Sequence, residues 1–312
     1  MVTFHRIVLL GIMSAIPALL LGCGDSATAP VSVGTWVVDR SPTIVNLRSV
    51  WGSGPTDVFA VGAAGTIVHF DGAEWKVQSS GTIKYLWGVA GTSSNDVYAV
   101  GTDGTVIHWD GTAWSSVSIG STKLLTCVSA LAPNDVYIGA EKGAIYHFDG
   151  STWQEVTTGI SGFITAIRSS TFHLHPAVPP VRGVVALTSE GSVHLYDGIK
   201  WTHVISDFYP GANDLWFVSW QQLFIADAGS VLVAKPTGYE IAGDLGVTAL
   251  AGIDGSSLND IWAVGKGMIH FDGTTWSVVS VPGTDGLNDV WIGSTEYGFA
   301  VGRDGGIFRH VR

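Results

Sequence analysis

Short runs of alternating hydrophobic and polar residues fill most of the chain, and glycines separate one run from the next. The segments DVFAVG, starting at Asp57, and TIVHF, starting at Thr66, are typical examples. Runs of about four to eight residues rich in Val, Ile and aromatic residues are typical of β-strands. An Asp-Gly pair after such a run favours a tight hairpin turn, because glycine adopts positive φ without a steric penalty. The pattern therefore predicts short strands joined by tight turns, four strands to each group.

The four-strand group recurs along the sequence with a period of 39 residues. A period of about 40 residues indicates a propeller or a solenoid, and four short strands per repeat are typical of a propeller blade. More diverged copies follow over residues 163–207 and 213–243 and from Val247, and the last copy ends at Arg312. The period is clearest at three sets of equivalent positions, which are Asp57, Asp96 and Asp135, then Asp71, Asp110 and Asp149, and then Trp75, Trp114 and Trp153.

The last repeat lacks the strand that follows Asp-Gly in the other repeats. The segment GTWVVDRSP, at residues 34–42, is similar to that missing strand. Pairing the two ends of the repeat region completes the last blade and removes open sheet edges. We therefore predict an all-β fold over residues 34–312, a seven-bladed β-propeller with four-stranded blades, closed by the N-terminal strand completing the last blade. A β-solenoid is the structural alternative, but its coils are typically shorter than this repeat.

The motifs of each repeat also resemble those of a known family. The order W-G, then DVxAVG, then GxI, then DGxxW resembles Asp-box-like propellers of the photosystem II stability and assembly factor type, and the repeats of secreted bacterial lipoproteins. The resemblance covers residues 36–312. Where that family often carries D-G-G, this chain has D-G-A, D-G-T, D-G-S and D-G-I. The resemblance implies a propeller, but it defines no activity, because this architecture hosts many activities.

The N-terminus predicts export and a lipid anchor. A short basic start precedes an apolar run over residues 7–22 that is too short to span a bilayer comfortably, which is typical of a signal peptide. The motif LLGC, ending at Cys23, resembles the bacterial lipobox. We predict a lipoprotein signal peptide at residues 1–22, lipidation of Cys23 and a tether at residues 23–33. Gly24 in place of Asp favours the outer membrane or the cell surface. The alternative is an ordinary secretory signal that happens to end at Cys.

Composition narrows the class of protein and the class of partner. Only 13% of the residues are charged and 46% are hydrophobic, which excludes a disordered chain and disfavours long surface helices. The net charge of -11 supplies no cationic surface for a nucleic acid. The two cysteines, Cys23 and Cys127, cannot form a disulfide framework. We expect a lipid-anchored monomer that binds a protein or a glycan, without nucleic acid and without a cofactor.

Several residue types recur at equivalent positions, and we interpret them as structural. Histidines on the third strands should form hydrogen bonds within their own blades, because positions a blade apart cannot share a metal through bonds of ~2 Å. Aspartates at turn entries should accept backbone N–H groups, and tryptophans should pack between blades. Small residues of the inner strands should line the crowded axis, with Cys127 an inert thiol. The positions are His69, His108, His147 and His270; Asp57, Asp96, Asp135 and Asp260; Asp71, Asp110, Asp149, Asp197 and Asp272; Trp36, Trp75, Trp114, Trp153, Trp201 and Trp276; Ser49, Gly88, Cys127, Ala166 and Ala249.

Two irregular segments carry the remaining candidate chemistry. Residues 169–183 form an insertion in the fourth blade that contains His173 and His175, whose spacing puts both imidazoles on one face of an extended chain and makes them weak candidates for a metal pair. The alternative is a proline-stiffened loop. Residues 207–214 join the fourth and fifth blades and contain Phe208 and Tyr209, candidate contacts for a ligand or partner. The alternative is that both rings fill a gap beside a diverged blade.

Blade topology orients the predicted molecule. Both ends of the propeller fall on the face of the Asp-Gly turns, and the opposite face, expected to point outward, carries Asp103, Glu141, Lys142, Glu190, Asp227, Arg303 and Asp304. The sequence contains no nucleophile-elbow, HExxH or P-loop motif. We therefore expect a membrane-anchored, non-enzymatic binding or assembly scaffold of the bacterial cell envelope. The alternatives are a polysaccharide-active hydrolase or lyase that uses outward-facing acids, and a lectin-like carbohydrate binder.

Overall fold

The computed structural model describes residues 34–172, 181–205, 211–219, 222–235, 238–243 and 246–312. The predicted signal peptide and tether, with Cys23, lie outside the described residues. Phe208, Tyr209, His173 and His175 also lie outside them. Over the described ranges, no helix is long and apolar enough to cross a membrane.

Strand β1 (Thr35–Val38) belongs to the last blade, and the first four blades follow it along the chain. Each of these four blades is a sheet of four consecutive strands. The strands are β2 (Leu47–Gly54), β3 (Asp57–Gly62), β4 (Ile67–Phe70) and β5 (Trp75–Gln78) in blade one; β6 (Leu86–Ser93), β7 (Asp96–Gly101), β8 (Val106–Trp109) and β9 (Trp114–Ser116) in blade two; β10 (Leu125–Ala132), β11 (Asp135–Ala140), β12 (Ile145–Phe148) and β13 (Trp153–Val156) in blade three; β14 (Ile164–Phe172), β15 (Val181–Thr188), β16 (Val193–Tyr196) and β17 (Trp201–Ile205) in blade four.

Three further blades complete the ring. Their strands are β18 (Asp214–Ser219), β19 (Gln222–Ala226), β20 (Val231–Lys235) and β21 (Gly238–Gly243) in blade five; β22 (Thr248–Ser257), β23 (Asp260–Phe271) and β24 (Trp276–Val279) in blade six; β25 (Leu287–Ser294), β26 (Tyr297–Gly302) and β27 (Ile307–Val311) in blade seven. Single-turn 3₁₀ helices join the second and third strands of blades one, two, three and seven, at Ala63–Gly65, Thr102–Gly104, Glu141–Gly143 and Arg303–Gly305.

The closure predicted from the sequence is confirmed. Strand β1 pairs antiparallel with β27, and Trp36 stands opposite His310. The sheet order in blade seven is β1, β27, β26, β25. The first strand of the propeller therefore supplies the outer strand of the last blade, and hydrogen bonds join the two ends of the ring.

Blade six differs from the other blades in its middle strands. Strand β23 pairs with β22 up to Lys266 and with β24 from Met268. The backbone changes direction at Gly267, whose φ of 124° is readily adopted only by glycine. One continuous strand thus occupies the second and third positions of this blade. Its sheet accordingly has three strands in place of four.

The hydrophobic core lies between the faces of neighbouring blades. The second strands are buried along nearly their whole length, as in β3, where five of the six residues are buried. Such near-continuous apolar strands are expected where a sheet packs on both faces. The tryptophans predicted between blades lie there: Trp75 is 6% exposed and packs on Phe299 of blade seven with ring centroids 5.7 Å apart.

Candidate functional site at the central channel

The recurring histidines form hydrogen bonds within their own blades, as predicted, and their partners are the aspartates of the Asp57 position, for which the sequence predicted backbone N–H groups as partners. His69 Nε2 lies 2.7 Å from Asp57 Oδ1, and the ring stacks on Phe59 with centroids 4.3 Å apart. The same geometry recurs in blades two, three and six, in the pairs His108–Asp96, His147–Asp135 and His270–Asp260. Within the described part of the chain, no group of three or more His, Cys, Asp or Glu side chains could hold a metal ion.

The turn aspartates also have the predicted role. Asp71 Oδ1 accepts the backbone N–H groups of Ala73 and Glu74, each at 3.0 Å, and Gly72 of the same turn has a φ of 90°. The side chain of Lys76 and these two N–H groups hold the pKa of Asp71 well below its usual range. The equivalent carboxylates accept two N–H groups each, at Asp110, Asp149, Asp197 and Asp272.

A narrow channel of about 70 Å³ lies where the inner strands of the seven blades converge. Its walls come from every blade, and they include charged side chains that the sequence analysis did not single out. These side chains are Arg48, Arg168, Asp214, Asp254 and Asp289. The channel is therefore the site in which the ring brings distant parts of the sequence together.

Polar side chains around the channel bind the backbone of the next blade. Asp289 of blade seven accepts the N–H of Val50 at 3.0 Å, and Asp214 of blade five accepts the N–H of Ile253 at 3.1 Å. Two residues further along the inner strand, Asp254 of blade six accepts the N–H of Ile292 at 2.7 Å. Serine hydroxyls accept equivalent bonds at two other junctions: Ser49 Oγ accepts the N–H of Val89, and Ser129 Oγ accepts the N–H of Ser169. These bonds hold neighbouring inner strands together, and among the described residues no β-ladder joins two blades.

Arg168 is the cation that faces these carboxylates. Its Nη2 lies 3.3 Å from Asp214 Oδ2, and its Nε donates to the carbonyl of Leu215 at 3.2 Å. Burial lowers the pKa of Arg168, but the negative charges of Asp214, Asp254 and Asp289 outweigh burial and raise it above the usual range. The guanidinium therefore stays charged and links blade four to blade five.

Two of the channel carboxyls bind protons more tightly than ordinary aspartates. Burial raises the pKa of Asp254 to about 7, although Arg168 opposes it. Burial, together with the charge of Asp214, raises the pKa of Asp289 to about 6. Both pKa shifts have the same main cause, because a buried carboxylate is solvated less well than an exposed one and the nearby Asp214 adds like charge.

Aromatic and amide side chains surround the channel where the inner strands begin. The guanidinium of Arg48 lies over the ring of Trp87, 5.5 Å from its centroid, and the ring of Tyr85 is 4.9 Å from Trp87. Asn46 Nδ2 donates to the Tyr85 hydroxyl at 3.0 Å, and Asn288 Nδ2 donates to Asn46 Oδ1 at 2.9 Å. We call these five residues the mouth surface.

Three of the side chains predicted on the outward face lie on equivalent turns of different blades. Asp103, Lys142 and Asp304 occupy the same position of the 3₁₀ turns in three different blades, with φ between 53° and 59°. They are therefore separated around the ring, and Asp103 is paired with Lys84 of its own blade.

One small residue expected at the axis is placed elsewhere. Ala249 is exposed, and Gly252 takes the position in blade six, where an added Cβ would lie 2.9 Å from the Asp289 Cα. The prediction for Ala249 was wrong because the repeat was aligned three residues early. Cys127 does line the channel, where burial raises its pKa to about 12 and keeps the thiol protonated.

These features define a seven-bladed β-propeller whose blades meet at a narrow, charged channel. No protein-family model matches the chain, and no curated protein matches it. Solved propellers do: a structure of YCF48 bound to a D1 peptide has a TM-score of 0.69 at 17% identity, covering 91% of this chain and 96% of that chain. YCF48 from Cyanidioschyzon merolae has a TM-score of 0.68 at 18% identity, covering 88% and 98%.

The similarity extends to a propeller of another kind. The WD40 β-propeller domain of Doa1 has a TM-score of 0.72 at 11% identity, covering 89% of this chain and 97% of that domain. Together with the seven sheets, these similarities confirm the fold predicted from the repeats. They also confirm, for the fold, the resemblance to propellers of the photosystem II assembly factor type.

Proposed function

We propose that this protein is a non-enzymatic scaffold that binds a protein partner at the mouth surface and is held in a bacterial cell envelope by lipid on Cys23. The observation that carries the proposal is the mouth surface itself. Trp, Tyr and Arg are the side chains most enriched at the energetic centres of protein interfaces, and here Trp87, Tyr85 and Arg48 lie together at the opening of the channel.

The size of the channel favours recognition at the surface over catalysis inside it. Small-molecule sites usually measure about 300–1,000 Å³, whereas this channel measures about 70 Å³. Its carboxylates are occupied by backbone N–H groups of neighbouring strands, such as those of Val50 and Ile253. A partner would therefore contact the opening, which the bonds among Asn288, Asn46 and Tyr85 hold in one arrangement. The solved YCF48 structure with a bound peptide is a propeller of the same fold that binds a protein segment.

The topology is compatible with a lipid anchor. Strand β1 begins at Thr35, next to Val311 near the end of β27, on the face of the Asp-Gly turns. The mouth surface lies on the opposite face, where the inner strands begin. A lipid on Cys23 would thus leave the mouth surface directed away from the bilayer. A tether of about ten residues reaches at most ~40 Å.

Site-specific photocrosslinking tests the binding site. A photoreactive residue replaces Ile83, which is 85% exposed beside Tyr85, and in a matched control it replaces Val278, which is 53% exposed on the outer strand of blade six. We expect a discrete adduct in cells from position 83 only, and its loss when Arg48→Ala and Trp87→Ala are combined. Identical adducts from both positions, or an adduct that survives the double substitution, would contradict binding at the mouth surface.

Separate measurements test the anchor and the two other functions. Mass spectrometry of the protein should show diacylglyceryl on Cys23, and Cys23→Ala should release the chain from membranes. A panel of glycans incubated with the purified protein distinguishes the alternatives. Turnover would establish the hydrolase or lyase, and saturable binding without turnover would establish the lectin-like protein.

A further inference from the structure

The strand pair that closes the ring contains a histidine where other blades have an aromatic ring. In five blades the tryptophan that begins the outer strand stands opposite Phe, Tyr or Trp on the third strand. These pairs are Phe70–Trp75, Trp109–Trp114, Phe148–Trp153, Tyr196–Trp201 and Phe271–Trp276. In blade seven the pair is His310–Trp36. We call the pairing of β1 with β27 the seam.

His310 is enclosed by rings from two blades. It is 2% exposed, and its ring centroid lies 5.3 Å from that of Trp36 and 5.2 Å from that of Trp262 in blade six. Among the described residues, no group forms a hydrogen bond of good geometry with either ring nitrogen, and the same is true of Trp36 Nε1 and His270 Nδ1 beside it; the nearest polar group is the backbone of Gly34. The backbone of Gly34 is so close that a Cβ there would collide with the imidazole.

The charged groups around His310 offer no free carboxylate to a protonated ring. Strand β23 contributes Asp260 and His270, and Arg312 follows on the histidine's own strand. Asp260 Oδ1 already binds Trp262 Nε1 and His270 Nε2, each at 2.9 Å, and Oδ2 accepts from Ser256 Oγ at 2.5 Å. The other two neighbours in the sheet, β1 and β26, place Trp36 and Gly298 opposite His310, and neither side chain titrates.

We propose that protonation of His310 opens the seam, so that acid loosens the closure of the propeller. An imidazolium would place a charge among aromatic rings, next to His270 and Arg312. The most direct relief is separation of β1 from β27, because β1 is an edge strand held by one partner. The ring of blades would then stay folded while its N-terminal strand detached.

The direction of the pH effect follows from burial. Burial lowers the pKa of His310 below its usual value, and the charge of Asp260 and the backbone of Gly34 oppose this only in part. The open seam therefore binds a proton that the closed seam does not bind at the same pH. Closure is undisturbed above the ordinary histidine pKa of about 6.5 and weakens as the pH falls below it.

Hydrogen exchange of the purified full chain tests the proposal. After correction for intrinsic rates, we expect protection of β1 and β27 to fall about tenfold between about pH 7.5 and 5.5, while β3 and β7 keep theirs. In His310→Phe, which has the ring of blades one, three and six, the seam should keep its protection over this range. The matched control is His194→Phe, because burial lowers the pKa of His194 to about 4 in blade four, away from the seam.

Two results would overturn the proposal. One is equal protection of the seam at both pH values in the wild type. The other is a loss of protection in His310→Phe as large as that in the wild type. If His310→Phe misfolds, nitrogen-15 spectra of the histidines in the wild type decide the matter: the His310 ring must take up its proton at a pH below the ordinary range, and an ordinary titration would overturn the proposal.

Discussion

The carboxylate of Asp289 binds the backbone N–H of Val50 at 3.0 Å, joining the inner strand of blade seven to that of blade one. The same oxygen accepts the Ser49 hydroxyl at 2.8 Å, and the other oxygen accepts the N–H of Val290 at 2.9 Å. These two strands lie at opposite ends of the sequence and share no β-ladder. Asp289 therefore closes the ring at the channel, as β1 closes it at the rim.

Asp289→Ala should destabilise the propeller strongly. It leaves the N–H groups of Val50 and Val290 without their acceptor, and an unsatisfied buried group costs about 1–3 kcal/mol. We expect the free energy of unfolding, measured by urea denaturation, to fall by about 2–4 kcal/mol. The exposed Glu296 provides the control, and Glu296→Ala should change stability by less than about 0.5 kcal/mol. A similar value for both variants would mean that the Asp289 bonds contribute little.

Asp254→Asn should remove a loss of stability that Asp254 causes between about pH 4 and 7. The folded protein holds a proton on Asp254 up to a pKa of about 7, whereas an unfolded chain releases it near pH ~4. The contribution of Asp254 to stability therefore falls as the pH rises from about 4 to 7 and is level above that range. Asparagine is neutral and keeps an acceptor for Ile292, so the variant should lack this loss.

Urea midpoints of both proteins across that pH range provide the measurement. At about pH 8 the free energy of unfolding of the Asp254→Asn variant should exceed that of the wild type by about 1–3 kcal/mol, and near pH 4 the two values should agree. The Asp272→Asn variant is the control, because backbone and side-chain hydrogen bonds hold the pKa of Asp272 at about 2 and give the opposite slope. Parallel curves for wild type and Asp254→Asn would show that Asp254 titrates normally.

The repeats predicted the blades because each blade contains its own set of stabilising hydrogen bonds. Asp57 with His69, and Asp71 at its turn, interact within one repeat, so their period in the sequence reports directly on the structure. The closing strand was predictable for the same reason, since Trp36 keeps the motif of the other outer strands.

The channel was not predicted, because its contacts join positions that the repeat does not relate. Asp214 and Asp289 occupy positions held by Ser49 and Gly88 in other blades, and Arg168 occurs in a diverged one. Only the ring brings them together. The sequence did contain one signal of the channel, because charged residues replace small ones at inner-strand positions. The misalignment of blade six at Ala249 hid part of this signal.

Trp75→Phe should isolate the hydrogen bond that joins blade one to the end of β1. Trp75 Nε1 donates to Asp39 Oδ2 at 3.2 Å, and Asp39 Oδ1 lies 3.1 Å from Arg309 Nη2. Phenylalanine keeps most of the packing, so we expect a loss of about 1 kcal/mol, against about 3–5 kcal/mol for Trp75→Ala. A double-mutant cycle with Asp39→Ala checks the cause, and a coupling energy near zero would assign the loss to packing alone.

Cys127 should be inert to thiol reagents in the folded protein. Burial raises its pKa from 9.0 to about 12, which lowers the thiolate fraction near neutral pH about a thousandfold, and thiolate is the reactive form. The thiol also lies in a channel of about 70 Å³, too narrow for an aromatic disulfide reagent. In a Cys23→Ser background, we expect Cys127 to react at least about a thousandfold more slowly than a cysteine at the exposed position Ser116, and equally fast in urea. The prediction fails if Cys127 of the folded protein reacts at a rate within tenfold of that of Ser116→Cys. The inner strands would then separate often enough to admit the reagent, and the hydrogen bonds between blades would be weaker than their geometry indicates.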